Sequence, residues 1–200
     1  MSKMELRLAG SGGQGVILAS VILAEAAVQA GKYTAQSQSY GPEARGGACK
    51  AETLISDAPI GFTKVQQPSF LMALTQKALD KYTVSLPEDC LVLVDESLTV
   101  PERLSGHRVL CLPILRTAKE TVGRAQTANV LAVGCINALL GITDEETLKK
   151  ATLLHVPRGT EEINLRALEE GVKLAANLPG EEKSPEGLAE KETVQSDENS

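Results

Sequence analysis

The chain has 200 residues, 42% hydrophobic and 23% charged, which suits one domain of ordinary size with a sizeable core and excludes a disordered or fibrous polymer. Its formal net charge of -6 is concentrated in residues 180–200, where seven carboxylates and two lysines leave -5, so the remaining body is nearly neutral and offers no basic face for a nucleic acid duplex. With no tryptophan, three tyrosines and two phenylalanines, aliphatic side chains must build the core, and platforms for stacking single-stranded nucleic acid are scarce.

Residues 5–9 alternate polar and apolar and end in glycine, as a first strand does. A helix is expected over 16–30, rich in Ala, Leu, Ile and Val, with Gly31 as its stop. Only Ser20, Glu25 and Gln29 interrupt it, so it is largely buried. Strands are expected at 33–38 and 48–55, flanking a glycine-rich loop at 39–47. Residues 68–82 read as one helix, with Phe70, Leu71, Leu74 and Leu79 along one side. Apolar runs at 90–94 and 108–112 read as buried parallel strands, which places Asp95 and Pro113 at the ligand-facing edge of a sheet. Helices follow at 129–140, 144–154 and 161–178, the last with Thr160 as N-cap and acidic residues in its first turn.

Strand–helix alternation with apolar inner strands predicts an α/β fold: a single-domain, three-layer sandwich with a mostly parallel, Rossmann-like sheet over residues 4–178. Residues 179–200 form an acidic tail of disordered composition. No signal-like sequence precedes the first strand, and the apolar stretches stop short of a membrane span, so a cytoplasmic protein without membrane contact is expected.

The first strand runs into "LAGSGGQGVIL", with four glycines among residues 10–15. Such a turn offers unpaired backbone N–H groups and the positive end of a helix dipole to an anion. Gly10, Gly12 and Gly15 fit the spacing G-x-G-x-x-G, and Ser11, Gly13 and Gln14 complete the loop. The letters alone leave two readings open, phosphate binding and tight strand-to-helix packing. A nucleoside-triphosphate P-loop is excluded because no Gly-Lys-Ser/Thr closes the turn. A nicotinamide or flavin site lacks its acidic residue, since "GKYTAQSQSYG" holds none. A thiamine diphosphate site lacks its Gly-Asp-Gly and Asn ligands for magnesium. Cys49, Cys90, Cys111 and Cys135 form no CxxC pair and read as small buried hydrophobes. His107 and His155 accompany no nucleophile motif. No catalytic residue is expected in this chain.

The second unusual stretch, "QSQSYGPEARGGACKAETLIS", packs Tyr40, Gly41, Pro42, Glu43, Arg45, Gly46 and Gly47 between two strands. A plain connector needs no such composition; an Arg45 guanidinium offered to a carboxylate or phosphate is the functional reading, and a solvated Glu43–Arg45 pair the bland one. Together, "GSGGQG" and "SYGPEARGG", followed by "TANVLAVGCINALLGI" and "VPRGTEEINLRALEEG" in the same order, resemble the gamma subunit of the 2-oxoacid:ferredoxin oxidoreductases over residues 4–178. The second motif looks most like members acting on 2-oxoglutarate. Phe62-Thr63 and Ser69 depart from the Tyr-Pro and Asp common among relatives.

The resemblance implies a complex that decarboxylates a 2-oxoacid oxidatively, makes an acyl-CoA and reduces ferredoxin. It implies thiamine diphosphate and Mg2+ between alpha and beta subunits, and iron–sulfur clusters on partners that often include a delta subunit. It implies that this subunit packs beside the active site, binds no cofactor alone and helps receive coenzyme A on residues 10–15, with the 40–47 loop at a subunit interface. The rival expectations are a free-standing nucleotide-binding reductase and a non-enzymatic scaffold or regulatory subunit.

Overall fold

A computed structural model describes residues 3–39 and 47–178. The first strand, β1 (Lys3–Ser11), lies in the middle of a six-stranded sheet and sends alternate side chains to opposite faces. Leu6 and Leu8 enter the larger apolar core, and Ala9 the smaller one on the reverse side. The glycine turn then leads into α1 (Val16–Gln29), which returns across the larger core.

Next come β2 (Tyr33–Ser39), β3 (Ala48–Ser56), β4 (Phe70–Ala73), α2 (Gln76–Tyr82), β5 (Leu91–Asp95) and β6 (Val109–Leu112). The strand order is β2-β3-β1-β4-β5-β6. Strands β1, β4, β5 and β6 pair in parallel; β3 is antiparallel to both β1 and β2, so β2 runs with β1 and β3 alone is reversed. The mostly parallel sheet is as expected, and the reversed strand is the feature that local pattern does not encode. It brings residue 47 back to the edge from which β1 and β2 emerge.

Helices α3 (Ile114–Glu120), α4 (Ala128–Leu140), α5 (Glu145–His155) and α6 (Glu161–Ala176) join α1 on the larger core. On the other face α2 lays Ala78 and Leu79 over Leu71, Ala73, Val92 and Val94. The result is a three-layer sandwich with one thick and one thin helical layer. Residues 179–200 lie outside the described residues.

The single helix expected at 68–82 is instead a strand and a helix. Phe70, Leu71, Met72 and Ala73 are all fully buried between β1 and β5, and a strand covered on both faces is apolar throughout. A short apolar run has no period to separate it from a helix turn. The boundary is Thr75, whose hydroxyl accepts the Ala78 amide at 3.3 Å and caps α2. Helix α3, which begins just past Pro113, was not expected at all.

Helix α4 is buried at every residue from 128 to 137 and crosses α6 at two glycines. A Cβ on Gly134 would fall on the Leu168 carbonyl oxygen, and one on Gly171 on the Leu131 carbonyl oxygen. Both obstacles are helix backbone, so neither helix can yield without moving as a body. Gly171→Ala is expected to cost about 2 kcal/mol by overpacking, a fall of about 4–8 °C in Tm for a chain of this size. Gly106→Ala, where a Cβ meets open space, is the control. Equal melting temperatures for the two variants would contradict the close crossing.

Candidate functional site

All six loop residues of the first motif sit at the carboxyl edge of the sheet, where β1 ends. Gly10 and Ser11 are still strand residues, in register with Cys49 and Ala48 of β3. The chain then turns: the Gln14 amide donates to the Ser11 carbonyl at 3.2 Å, and the Ser11 amide donates to Gln14 Oε1 at 2.7 Å. Gln14 thus braces the loop with its own side chain. Glycine at position 10 leaves room for that brace, since a Cβ there would come within 2.6 Å of Gln14 Oε1 and displace it.

Gly13 and Gly15 hold φ angles of 94° and 72°, a region that only glycine enters freely. Gly15 is the N-cap of α1, and no side chain caps the amides of the first turn. Gly12 and Gly13 are exposed, and neither amide meets an acceptor among the described residues. The loop therefore leaves exposed N–H groups without a described acceptor at the positive end of an apolar helix, an arrangement suited to an anion.

The second motif reaches the same edge. Ser39 ends β2 opposite Lys50, and Gly47 is buried immediately before Ala48, the register partner of Ser11. Residues Tyr40, Gly41, Pro42, Glu43, Arg45 and Gly46 lie outside the described residues. Their two anchors flank β3 beside the first loop.

Two features of this edge went unread in the sequence. On the α2 side of β1 and β3, Arg7 Nε and Lys50 Nζ both reach Glu52 Oε1, at 2.8 and 2.7 Å. The Tyr82 hydroxyl donates to the Ala48 carbonyl at 3.4 Å, with Lys50 and Lys81 over its ring. The period-2 spacing of Lys50 and Glu52 is the signal that could have placed them on one face. The second is Asn129, a buried amide in the first turn of α4 whose Nδ2 donates to the Gly15 carbonyl at 3.3 Å. Its polarity in a mostly apolar helix, which also buries Asn137, was its only trace.

Asp95 does sit at the carboxyl edge, but its carboxylate is fully engaged. Oδ1 accepts from the Ser97 amide and hydroxyl, and Oδ2 accepts from the Leu115 amide at the start of α3. His107 precedes β6 at the opposite edge, and His155 ends α5 with Nε2 3.9 Å from Glu25 Oε2. Ser69 accepts the Glu5 amide at the amino edge, away from both loops, and Phe62 is an exposed side chain on the connection leading to it.

Among the described residues, no group of three or more His, Cys, Asp or Glu could hold a metal ion. Burial pushes the Cys90 thiol up to about 11 and the Cys135 thiol up to about 12, and desolvation raises Cys49 and Cys111 as well. The four cysteines are not gathered into any such group among the described residues.

The family profile described as pyruvate ferredoxin/flavodoxin oxidoreductase matches residues 5–174. The chain is 45% identical over 179 residues to the 2-oxoglutarate synthase subunit KorC of Methanocaldococcus jannaschii, covering 88% of this chain and 96% of that one. It is 35% identical to the ketoisovalerate oxidoreductase subunit VorA of Methanothermobacter marburgensis over 90% of this chain but only 38% of VorA. Among solved structures, the gamma subunit of a keto/oxoacid ferredoxin oxidoreductase from Geobacter sulfurreducens superposes with a TM-score of 0.79 at 43% identity, covering 88% of this chain and 98% of that one. The 2-oxoglutarate:ferredoxin oxidoreductase from Magnetococcus marinus, with 2-oxoglutarate, coenzyme A and succinyl-CoA bound, shares the fold at a TM-score of 0.81 and 22% identity, over 90% of this chain and 32% of that one. No helix among the described residues is long and apolar enough to cross a membrane.

Of the four cysteines only Cys111 is exposed. A thiol reagent at neutral pH is therefore expected to modify Cys111 quickly on the native isolated chain, and Cys49, Cys90 and Cys135 only after denaturation. Rapid loss of two or more thiols from the folded chain would contradict this picture.

Proposed function

The chain belongs to the pyruvate ferredoxin/flavodoxin oxidoreductase family as a gamma subunit of a 2-oxoacid:ferredoxin oxidoreductase, and from that premise we propose that it serves a 2-oxoglutarate enzyme and receives coenzyme A. The complex converts 2-oxoglutarate, coenzyme A and oxidised ferredoxin to succinyl-CoA, carbon dioxide and reduced ferredoxin. The 2-oxoglutarate assignment is supported by the name of the KorC relative at 45% identity. Family membership, rather than the fold, separates this reading from a free-standing nucleotide-binding reductase.

One observation carries the coenzyme A assignment: the exposed Gly12–Gly13 segment, held open between Ser11 and Gly15, with amides that meet no acceptor among the described residues. A diphosphate is the part of coenzyme A that such a segment suits, because several backbone N–H groups at a helix N-terminus bind it without a charged side chain. Thiamine diphosphate, Mg2+ and the iron–sulfur clusters are assigned to alpha, beta and delta partners. Alone, the chain is inactive. Residues 40–47, with Arg45, are assigned to contact with the partner subunits; on either side of them, Ser39 pairs with Lys50 and Ala48 with Ser11 at the edge that carries the diphosphate loop.

Gly12 is the position to test. Unlike Gly13 and Gly15 it does not hold a positive φ, so a side chain there challenges the ligand rather than the backbone. In the reconstituted complex Gly12→Val is expected to raise the KM for coenzyme A about 10- to 100-fold, the loss of one or two charge-assisted hydrogen bonds of about 1.5–3 kcal/mol. The KM for 2-oxoglutarate should stay within twofold, because decarboxylation precedes acyl transfer to coenzyme A. An assembled variant with its coenzyme A dependence intact would return the loop to a packing turn.

A further inference from the structure

We propose that Asn129 is a positioning residue for the coenzyme A loop, acting through the carbonyl of Gly15; this rests on the coenzyme A reading above. The Gly15 carbonyl accepts two hydrogen bonds, one from the Ala19 amide at 3.0 Å that opens α1, the other from Asn129 Nδ2 at 3.3 Å. Both lone pairs of one oxygen are thereby used. The second donor comes from a helix 114 residues further along the chain.

The contact is built into the packing. Asn129 is 5% exposed, in the first turn of a helix whose other buried side chains from 128 to 136 are apolar. An apolar residue would fill the site without the desolvation of a carboxamide, so burial of the amide is explained by what it holds. A Cβ on Gly15 would collide with the Asn129 carboxamide, so the approach requires glycine at 15 on steric grounds as well as for its φ of 72°. Asn129 in turn cannot drift, because the Gly134–Gly171 crossing fixes the depth of α4.

The loop is therefore pinned by one amide side chain at each end. Gln14 holds the entry through the Ser11 N–H, Asn129 holds the exit through the Gly15 C=O, and Gly12 and Gly13 lie between them with no brace of their own. A site that binds an anion with several amides at once needs their spacing fixed by such a supporting shell. Asn129 touches no ligand in this scheme; it sets where the amides that do so are held.

The test uses the reconstituted complex with Asn129→Ala, the isosteric Asn129→Asp and Gly12→Val assayed side by side. Asn129→Ala is expected to raise the KM for coenzyme A about 3- to 10-fold, the fold-change of one lost hydrogen bond, with the KM for 2-oxoglutarate within twofold. Asn129→Asp is expected to raise it at least as far, because a carboxylate would face the Gly15 carbonyl and lie near the bound anion. If Gly12→Val raises the coenzyme A KM while both Asn129 variants leave it unchanged, the inference fails and the coenzyme A reading stands. If Gly12→Val leaves it unchanged, the reading itself fails and the inference with it. A parallel rise in both substrate KM values, or failure of both Asn129 variants to assemble, would make Asn129 a folding residue and overturn the proposal.

Discussion

The antiparallel ladder between β1 and β3 runs unbroken from the Lys3–Ser56 pair to the Ser11–Ala48 pair, and the rest of the molecule depends on its register. Every side chain on the central strand is assigned a face by it: Leu6 and Leu8 to the thick core, Arg7 to Glu52 on the reverse side. A slip of one residue would exchange those faces and bury Arg7 without its carboxylate. The same ladder ends where both glycine-rich motifs begin or end. Residues 10–15 leave it upward into α1, and Gly47 enters it from the other side. Gly47 and the first glycine loop, separated by some thirty positions in the sequence, are brought to one edge by one strand pairing.

A second line of support reaches the loop from the opposite end of the chain. Helices α4 and α6 approach closely at Gly134 and Gly171, where each leaves room for the other's carbonyl. That fixes the start of α4, and so the height of Asn129 against Gly15. The exit of the glycine turn thus depends on packing more than a hundred residues away, and the entry on the adjacent Gln14. Both ends of the proposed diphosphate loop are thus held by side chains of this chain before any ligand arrives, which limits the ordering cost of binding.

The parts legible in the sequence are those governed by short-range rules. Helices α1, α4 and α5 each have a cap or glycine that announces an end: Gly15 opens α1, Asp144 accepts the Thr147 amide at 2.9 Å, and Gly141 stops α4 with a φ of 61°, whereas Thr160, expected to cap α6, makes no capping bond and donates its hydroxyl to the Pro157 carbonyl. The glycine loop was legible for the same reason, since positive φ at Gly13 and Gly15 demands the residue that is there. What was hidden is long-range. The strand β4 is four apolar residues whose spacing also fits a helix, and only its two neighbours in the sheet decide between them. Asp95 was placed at the correct edge, but its engagement by Ser97 and Leu115 depends on where α3 begins. Asn129 has no local signal beyond its polarity, because its partner is 114 residues distant. Of the second motif only Ser39 and Gly47 fall among the described residues.

The central claim is that this subunit supplies the backbone cradle for the diphosphate of coenzyme A. A structure of the assembled complex with coenzyme A bound tests it most directly. The account predicts phosphate oxygens within about 3 Å of the Gly12 and Gly13 amide nitrogens of this subunit, with Gln14 still on the Ser11 amide and Asn129 still on the Gly15 carbonyl. Coenzyme A bound elsewhere in the complex, with no phosphate against the 10–15 loop, would contradict it.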